Sequence, residues 1–233
     1  MPRGLRLDIP CIPLHITQRG VNRGAIFIDD DDRQHYLMLL AESAHDHDLS
    51  IHAYVLMGNH VHLLVTATRS GALSDAMRQL GQNYVPAFNR RHRRTGTLWE
   101  GRFKSCLVST DQYLLTVYRY IELNPVRASI VQSPEHHPWS SVHANLGLKA
   151  DPLVTPHTTF LAMANDPQER RIAYGSWLRA GISDDEIEAI RVHLKQGRAL
   201  GDRRFQAMVE KTLGQPASTK PQGRPSRLRN GQD

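Results

Sequence analysis

The residues of this sequence best suited to hold a divalent metal are two imidazoles separated by one residue, in His60-Val61-His62. In an extended strand, residues two apart project to the same face, so both rings stand together while Val61 points away. Such a pair leaves coordination positions open for a third ligand and for substrate oxygens. The pattern alone is unspecific: the chain holds 13 histidines, with the same spacing at His45 and His47 and an adjacent pair at His136 and His137. His45 and His47 fall in a stretch that reads as helix, where residues two apart diverge. A second kind of chemistry is offered by tyrosine. Tyr120 and Asn124 are four apart and share a helical face, which pairs a nucleophile with a neutral oxygen ligand. Tyr113 and Tyr118 compete with Tyr120. Tyr113 lies two turns earlier on roughly the same face with neighbours that suit a core, and Tyr118 lies about 160° around the helix. A buried, hydrogen-bonded tyrosine is the commoner fate for any of the three. Geometry favours Tyr120.

These side chains need a frame. Residues 11–19 read as a strand, and 30–48 as a helix that opens on Asp29 to Asp32. The four aspartates complement the positive end of that helix more readily than they make a metal site. Residues 50–57 and 60–67 are β-rich runs joined by Gly58-Asn59, a strong hairpin signal. Residues 73–92 read as helix, 98–109 as extended chain, and 111–123 as a helix that stops before Pro125. This order predicts an α+β domain, an antiparallel sheet with flanking helices, over residues 1–150. Beyond it, 151–215 predicts a C-terminal helical segment. There Ser183 and Glu186 form a capping-box pattern that starts a helix running to about Gln196. Gly197 to Gly201 breaks the chain before a second helix at 202–213. A helix-turn-helix and a plain helical hairpin both fit. From Gly214 onward, and as a basic tail over 216–233, the chain predicts disorder. Gly223-Arg224-Pro225, with Lys220, Arg227 and Arg229, has the composition of a minor-groove hook or of an ordinary basic tail.

Composition narrows the class. Hydrophobic content of 40% is ordinary for a soluble protein, and no apolar run approaches the roughly 20 residues of a membrane helix. The start of the chain lacks the apolar stretch of a secretory signal. Cys11 and Cys106 are too few and too far apart for a disulfide framework or a cysteine zinc site, which suits a reducing cytoplasm. The net charge of +6 is compatible with a polyanionic partner. Arg90, Arg91, Arg93, Arg94, Arg102 and Lys104 crowd one stretch with Trp99 and Phe103. Cations interleaved with aromatics suit a nucleic-acid surface, and a solvated helix end followed by core aromatics is the alternative.

The blocks MGNHVHLLV (57–65), LWEGRFKS (98–105) and YRYIELNPVRA (118–128) together resemble the REP-associated tyrosine transposases, within the single-tyrosine HUH group. QRGVNRGAIF (18–27) and GRALGDRRF (197–205) are also similar to that family. The resemblance implies a ferredoxin-like HUH core in which His60 and His62 bind the metal and Asn124 completes the site. It assigns Tyr120 as the residue that attacks DNA. Gln222 stands where an arginine would complete the family's fuller tail hook.

The implied reaction is cleavage and rejoining of single-stranded, hairpin-bearing DNA through a 5′-phosphotyrosine. Tyrosine hydroxyls ionise near pH 10, so attack at neutral pH needs help. His, His and Asn ligands with phosphate oxygens accept Mg2+ or Mn2+. Arg19, Arg23, Arg102 and Lys104 are the candidates for holding DNA phosphates. Two other classes remain open: a non-catalytic hairpin-binding protein derived from a transposase, and a metal-dependent hydrolase in which water attacks. Monomer and homodimer are both open as well.

Overall fold

A computed structural model describes residues 6–110 and 112–220. The first part of the chain runs β1 (Leu14–Arg19), α1 (Asp30–Asp46), β2 (Leu49–Met57), β3 (His60–Ala67), α2 (Ala72–Arg91) and β4 (Lys104–Leu107). All three strand pairings are antiparallel, in the order β2-β3-β1-β4. This is the β-α-β-β-α-β ferredoxin-like arrangement, as expected from the sequence. The second part is helical: α3 (Gln112–Glu122), α4 (Asn124–Arg127), α5 (Val142–Asn145), α6 (Thr158–Leu161), α7 (Pro167–Arg179), α8 (Asp184–Gln196) and α9 (Arg203–Leu213).

The period-2 alternation of the strands divides the interior into two apolar clusters. Leu14, Ile16, Val61, Leu63 and Val65 face α1 and α2, where they meet Tyr36, Leu40, Leu80, Tyr84 and Phe88. Val55, Met57, Leu64 and Cys106 face the other way and pack with Leu114, Val117, Tyr118 and Ile121 of α3 and with Ile190 and Leu194 of α8. His60 and His62 alternate with Val61, so they stand on the α3 side. The β2–β3 turn is two residues long, yet neither Gly58 nor Asn59 takes a positive φ. Its carbonyls are instead taken up by the preceding loop: Gly58 accepts from the Ile26 and Phe27 amides, and Asn59 from the Gly20 amide. That loop comes close because residue 20 has no side chain. A Cβ on Gly20 would lie 2.2 Å from the Gly24 carbonyl oxygen.

The aspartates at 29–32 do more than complement a helix dipole. Asp29 caps α1 by accepting from the Asp32 amide, and Asp29, Asp31 and Asp32 all take Arg91 at 2.7 Å. His92 joins Asp32 at 2.9 Å. These contacts tie α1 to the end of α2 and engage Arg91 in structural ion pairs. Trp99 and Phe103 pack against the α1/α2 cluster, with Arg6 3.7 Å above the Phe103 ring. They serve as core aromatics rather than stacking platforms.

The break after α8 is neither a helix-turn-helix nor a plain helical hairpin. Leu200 donates to the Leu107 carbonyl and accepts from the Ser109 amide, so the break covers the exposed edge of β4. α8 packs on the α3 side of the sheet, and Val209 of α9 enters the cluster on the opposite side. The two helices straddle the edge. Residues 214–220 differ from the expectation of disorder. Ala217 is fully buried, its carbonyl accepts from the Ala199 amide, and Glu210 accepts from the Ala217 amide. The Gly223-Arg224-Pro225 segment lies outside the described residues. Among the described residues, no helix is long and apolar enough to cross a membrane.

Candidate active site

β1 lies beside β3 with Arg19 opposite His60 and Thr17 opposite His62. The His60 and His62 rings are 5.2 Å apart, centroid to centroid. Each is oriented through its Nδ1. The Asn59 amide nitrogen donates to the Arg23 carbonyl at 3.0 Å, so its oxygen is left to accept from His60 Nδ1 at 2.7 Å. That fixes His60 with Nδ1 protonated and Nε2 as its lone-pair nitrogen. His62 Nδ1 lies 2.9 Å from Nε2 of His15 on β1. Burial lowers the His60 pKa to about 4, helped by Arg19 and Arg127, and lowers His15 to about 3, helped by Arg127. His62 is pushed well below its ordinary value, again chiefly by burial. All three rings are therefore neutral near pH 7, the form in which an imidazole ligates a metal.

Sequence reasoning missed His15. The alternation in Leu14-His15-Ile16-Thr17 does place it on one face with Thr17 and Arg19. Nothing local says that this strand adjoins β3.

The tyrosines sort by environment. Tyr118 is fully buried between Phe160 and Tyr174, and its hydroxyl accepts from the His157 amide. Tyr113 packs partly buried against the α3-side cluster. Tyr120 instead meets the histidines: its ring lies 5.5 Å from that of His62 and 5.6 Å from that of His15. Arg127 lies 4.0 Å over the Tyr120 ring. The next turn of α3 is anchored by Glu122, which is fully buried and accepts from Ser141 Oγ, Asn145 Nδ2 and Tyr174 Oη. Glu122 is the last residue of α3, and α4 opens at Asn124 with Pro125 next. Helical hydrogen bonds run across the junction, from the Leu123 amide to the Arg119 carbonyl and from the Arg127 amide to the Leu123 carbonyl.

A groove of about 610 Å³ takes in His60, His62, Tyr120 and Asn124 together. Arg19, Arg23 and Lys104 line it, with Arg127 of α4 and with Arg191 and Lys195 of α8, and no carboxylate among the described residues does. Arg102 belongs to an adjoining groove, where Arg6, Lys195 and Arg198 accompany it. Among the described residues, no three His, Cys, Asp or Glu side chains are placed to hold a metal by themselves. The donor set that fits one is two oriented, neutral imidazoles with the Asn124 amide, leaving the remaining positions to outside oxygens.

Residues 11–124 match the family model of the IS200-like transposases. Over that segment, just under half of its length, this chain is similar to that family. The matched segment holds His15, His60, His62, Tyr120 and Asn124, whereas Arg127 and α8 lie beyond it. Among solved structures, the fold is similar to that of a REP-associated tyrosine transposase bound to a REP hairpin, with TM-score 0.52 and 18% identity. That likeness covers 67% of this chain and 92% of the other. A Deinococcus radiodurans R1 protein assigned as a transposase is 20% identical over 59% of this chain and 96% of its own, at TM-score 0.36. No curated protein matches.

Proposed function

We propose that this chain is an IS200-like transposase that cuts and rejoins single-stranded DNA beside a hairpin, through a 5′-phosphotyrosine on Tyr120. One observation carries the reading: Tyr120 lies against His62 in a groove shared with His60, Asn124 and the cations Arg19, Arg23, Lys104, Arg127, Arg191 and Lys195. The hairpin follows from the structural neighbour, which is described with a REP hairpin bound.

Arg19, Arg23 and Lys104 hold the phosphates that flank the scissile one, and Arg102 extends the cationic path into the adjoining groove. His60, His62 and Asn124 would hold Mg2+ or Mn2+, which neutralises charge developing on the phosphate. Tyr120 Oη bonds to phosphorus, and the 3′ oxygen leaves with the bonding electrons. The phosphotyrosine retains the energy of the broken bond, so rejoining needs no nucleotide cofactor. The water-attack hydrolase finds no support, because Asp29, Asp31 and Asp32 are engaged by Arg91.

A labelled hairpin oligonucleotide with an unpaired flank, incubated with the protein and Mg2+ or Mn2+, tests the reading on a denaturing gel. Wild type yields a covalent protein–DNA band. Tyr120→Phe yields neither band nor scission. The double variant His60→Ala/His62→Ala yields no band but binds the hairpin within several-fold, because phosphate contacts dominate affinity. Tight hairpin binding by wild type with no band and no scission in either metal establishes the non-catalytic binder instead.

A further inference from the structure

α8 forms one wall of two adjoining grooves. Arg191, Leu194 and Lys195 line the groove of Tyr120, and Leu194, Lys195 and Arg198 line a second of about 710 Å³. The facing wall carries Arg19 and Lys104 in the first groove, and Arg6, Arg102 and again Lys104 in the second. Lys104, Leu194 and Lys195 belong to both, so the grooves join into one track that starts at Tyr120. The helix is held at both ends of this wall. Arg119, next to Tyr120 in the chain, pairs with Glu186 in the first turn of α8 at 3.3 Å. Beyond the last turn, Leu200 is bonded to β4.

The charges on α8 have no structural use. Ile190 and Leu194 are buried, while Arg191 and Lys195, four apart, are exposed on one face. Like charges at that spacing weaken a helix. Among the described residues, no carboxylate pairs with Arg191 or Lys195, nor with Arg102, Lys104 or Arg127, whereas Arg91 and Arg119 each have one or more. Against five cations, the second groove has a single carboxylate among the described residues, that of Glu100. Its one aromatic, Phe103, is buried with Arg6 3.7 Å over the ring. The track therefore offers cations for phosphates and no open ring for bases.

We propose that α8 clamps the unpaired flank of the DNA substrate, with Arg191 and Lys195 gripping its phosphates opposite Lys104 and Arg102, an inference that rests on single-stranded DNA being the substrate. α8 lies beyond the segment that matches the transposase family model, so this grip comes from the C-terminal segment. Because it is made to phosphates, it is indifferent to the sequence of the flank.

The test is fluorescence anisotropy in EDTA, where the strand stays intact, with a blunt hairpin and the same hairpin carrying an unpaired flank of about eight nucleotides on either end. Wild type is expected to bind one flanked form at least tenfold more tightly than the blunt one, whatever the flank sequence. Arg191→Ala/Lys195→Ala should lose most of that gain and hold the blunt hairpin within several-fold. Its salt slope on the flanked form should be shallower by about 1.4, as two lost single-strand contacts require. Arg203→Ala/Arg204→Ala removes the same charge from α9, whose arginines line neither groove, and should keep the gain. If the α8 variant does not melt like wild type, Arg191→Gln/Lys195→Gln takes its place. A flank gain that survives in the α8 variant overturns the clamp, as does the lack of any flank gain in wild type. Equal losses on blunt and flanked hairpins overturn it too and set α8 against the stem. The covalent band of wild type is read separately: a band without a flank gain removes the clamp and leaves the transposase, and a flank gain lost in the α8 variant with no band leaves the clamp on a binding protein.

Discussion

His15 Nε2 lies 2.9 Å from His62 Nδ1, joining the first strand of the sheet to the second residue of the histidine pair. Only one of the two nitrogens carries the shared proton. If His62 is to offer Nε2 to a metal, its Nδ1 must hold that proton and donate it, which makes His15 Nε2 the acceptor. His15 Nδ1 is buried without a partner, so the pair is fixed at this contact alone.

Replacing His15 by leucine removes the acceptor while keeping an apolar side chain in a fully buried site. Mn2+ affinity, followed by the paramagnetic signal of the free ion, is expected to fall by about 10- to 100-fold. Arg127 and Tyr120 stay in place, so hairpin affinity measured without metal should hold within several-fold. Unchanged Mn2+ affinity in His15→Leu, alongside a clear loss in His60→Ala, would mean that His62 is oriented without its neighbour.

Acid should loosen the fold through the same rings. A histidine whose folded pKa is depressed contributes stability that is complete above its unfolded value, near 6.5, and is lost as pH falls through the folded value. For His60 that value is about 4 and for His15 about 3. The melting temperature of wild type should therefore drop steadily from pH 6.5 to 4. His15→Leu should show a shallower decline over that window, read by thermal melts at each pH.

Glu122 works with the opposite sign. Burial raises its pKa, so its contribution is complete below the ordinary carboxylate range and is lost as pH rises through the raised value. Glu122→Gln removes this dependence, and wild type should gain on the variant as pH falls toward 4.5. Glu122→Ala strands the donors of Ser141, Asn145 and Tyr174 and should cost about 3 kcal/mol. Urea melts of the three proteins decide the order.

The other tyrosines should be dispensable for chemistry. Tyr118→Phe loses one hydrogen bond to the His157 amide, about 1 kcal/mol, and should keep the covalent band. Tyr113→Phe should also keep it. Peptide mapping of the wild-type adduct is expected to place the modification between Val117 and Val126, and an adduct on Tyr113 or Tyr118 would reassign the nucleophile.

Salt sensitivity separates groove cations from the rest. Arg19→Ala and Lys104→Ala should each reduce the slope of log affinity against log salt by about one. Arg91→Ala should leave the slope unchanged while lowering stability, since its guanidinium is already held by aspartates.

Local pattern alone determined much of this protein. The strand-and-turn alternation around Gly58-Asn59 placed His60 and His62 on one face, and Pro125 ended the helix that carries Tyr120. Both depend on interactions within a few residues, and the chain order of strands and helices then left the antiparallel α+β sheet as the natural solution. What lay further apart in sequence needed the tertiary structure. Only the pairing of β1 with β3 brings His15, 47 residues away, to His62. Only the packing of α3 on that face sets the Tyr120 ring against His15 and His62 while Tyr118 lies between Phe160 and Tyr174; both rings are buried, and their neighbours distinguish them. The same holds for charge. Arg91 and Arg127 look alike in a run of residues, and their surroundings make one a structural ion pair and leave the other without an anion beside Tyr120.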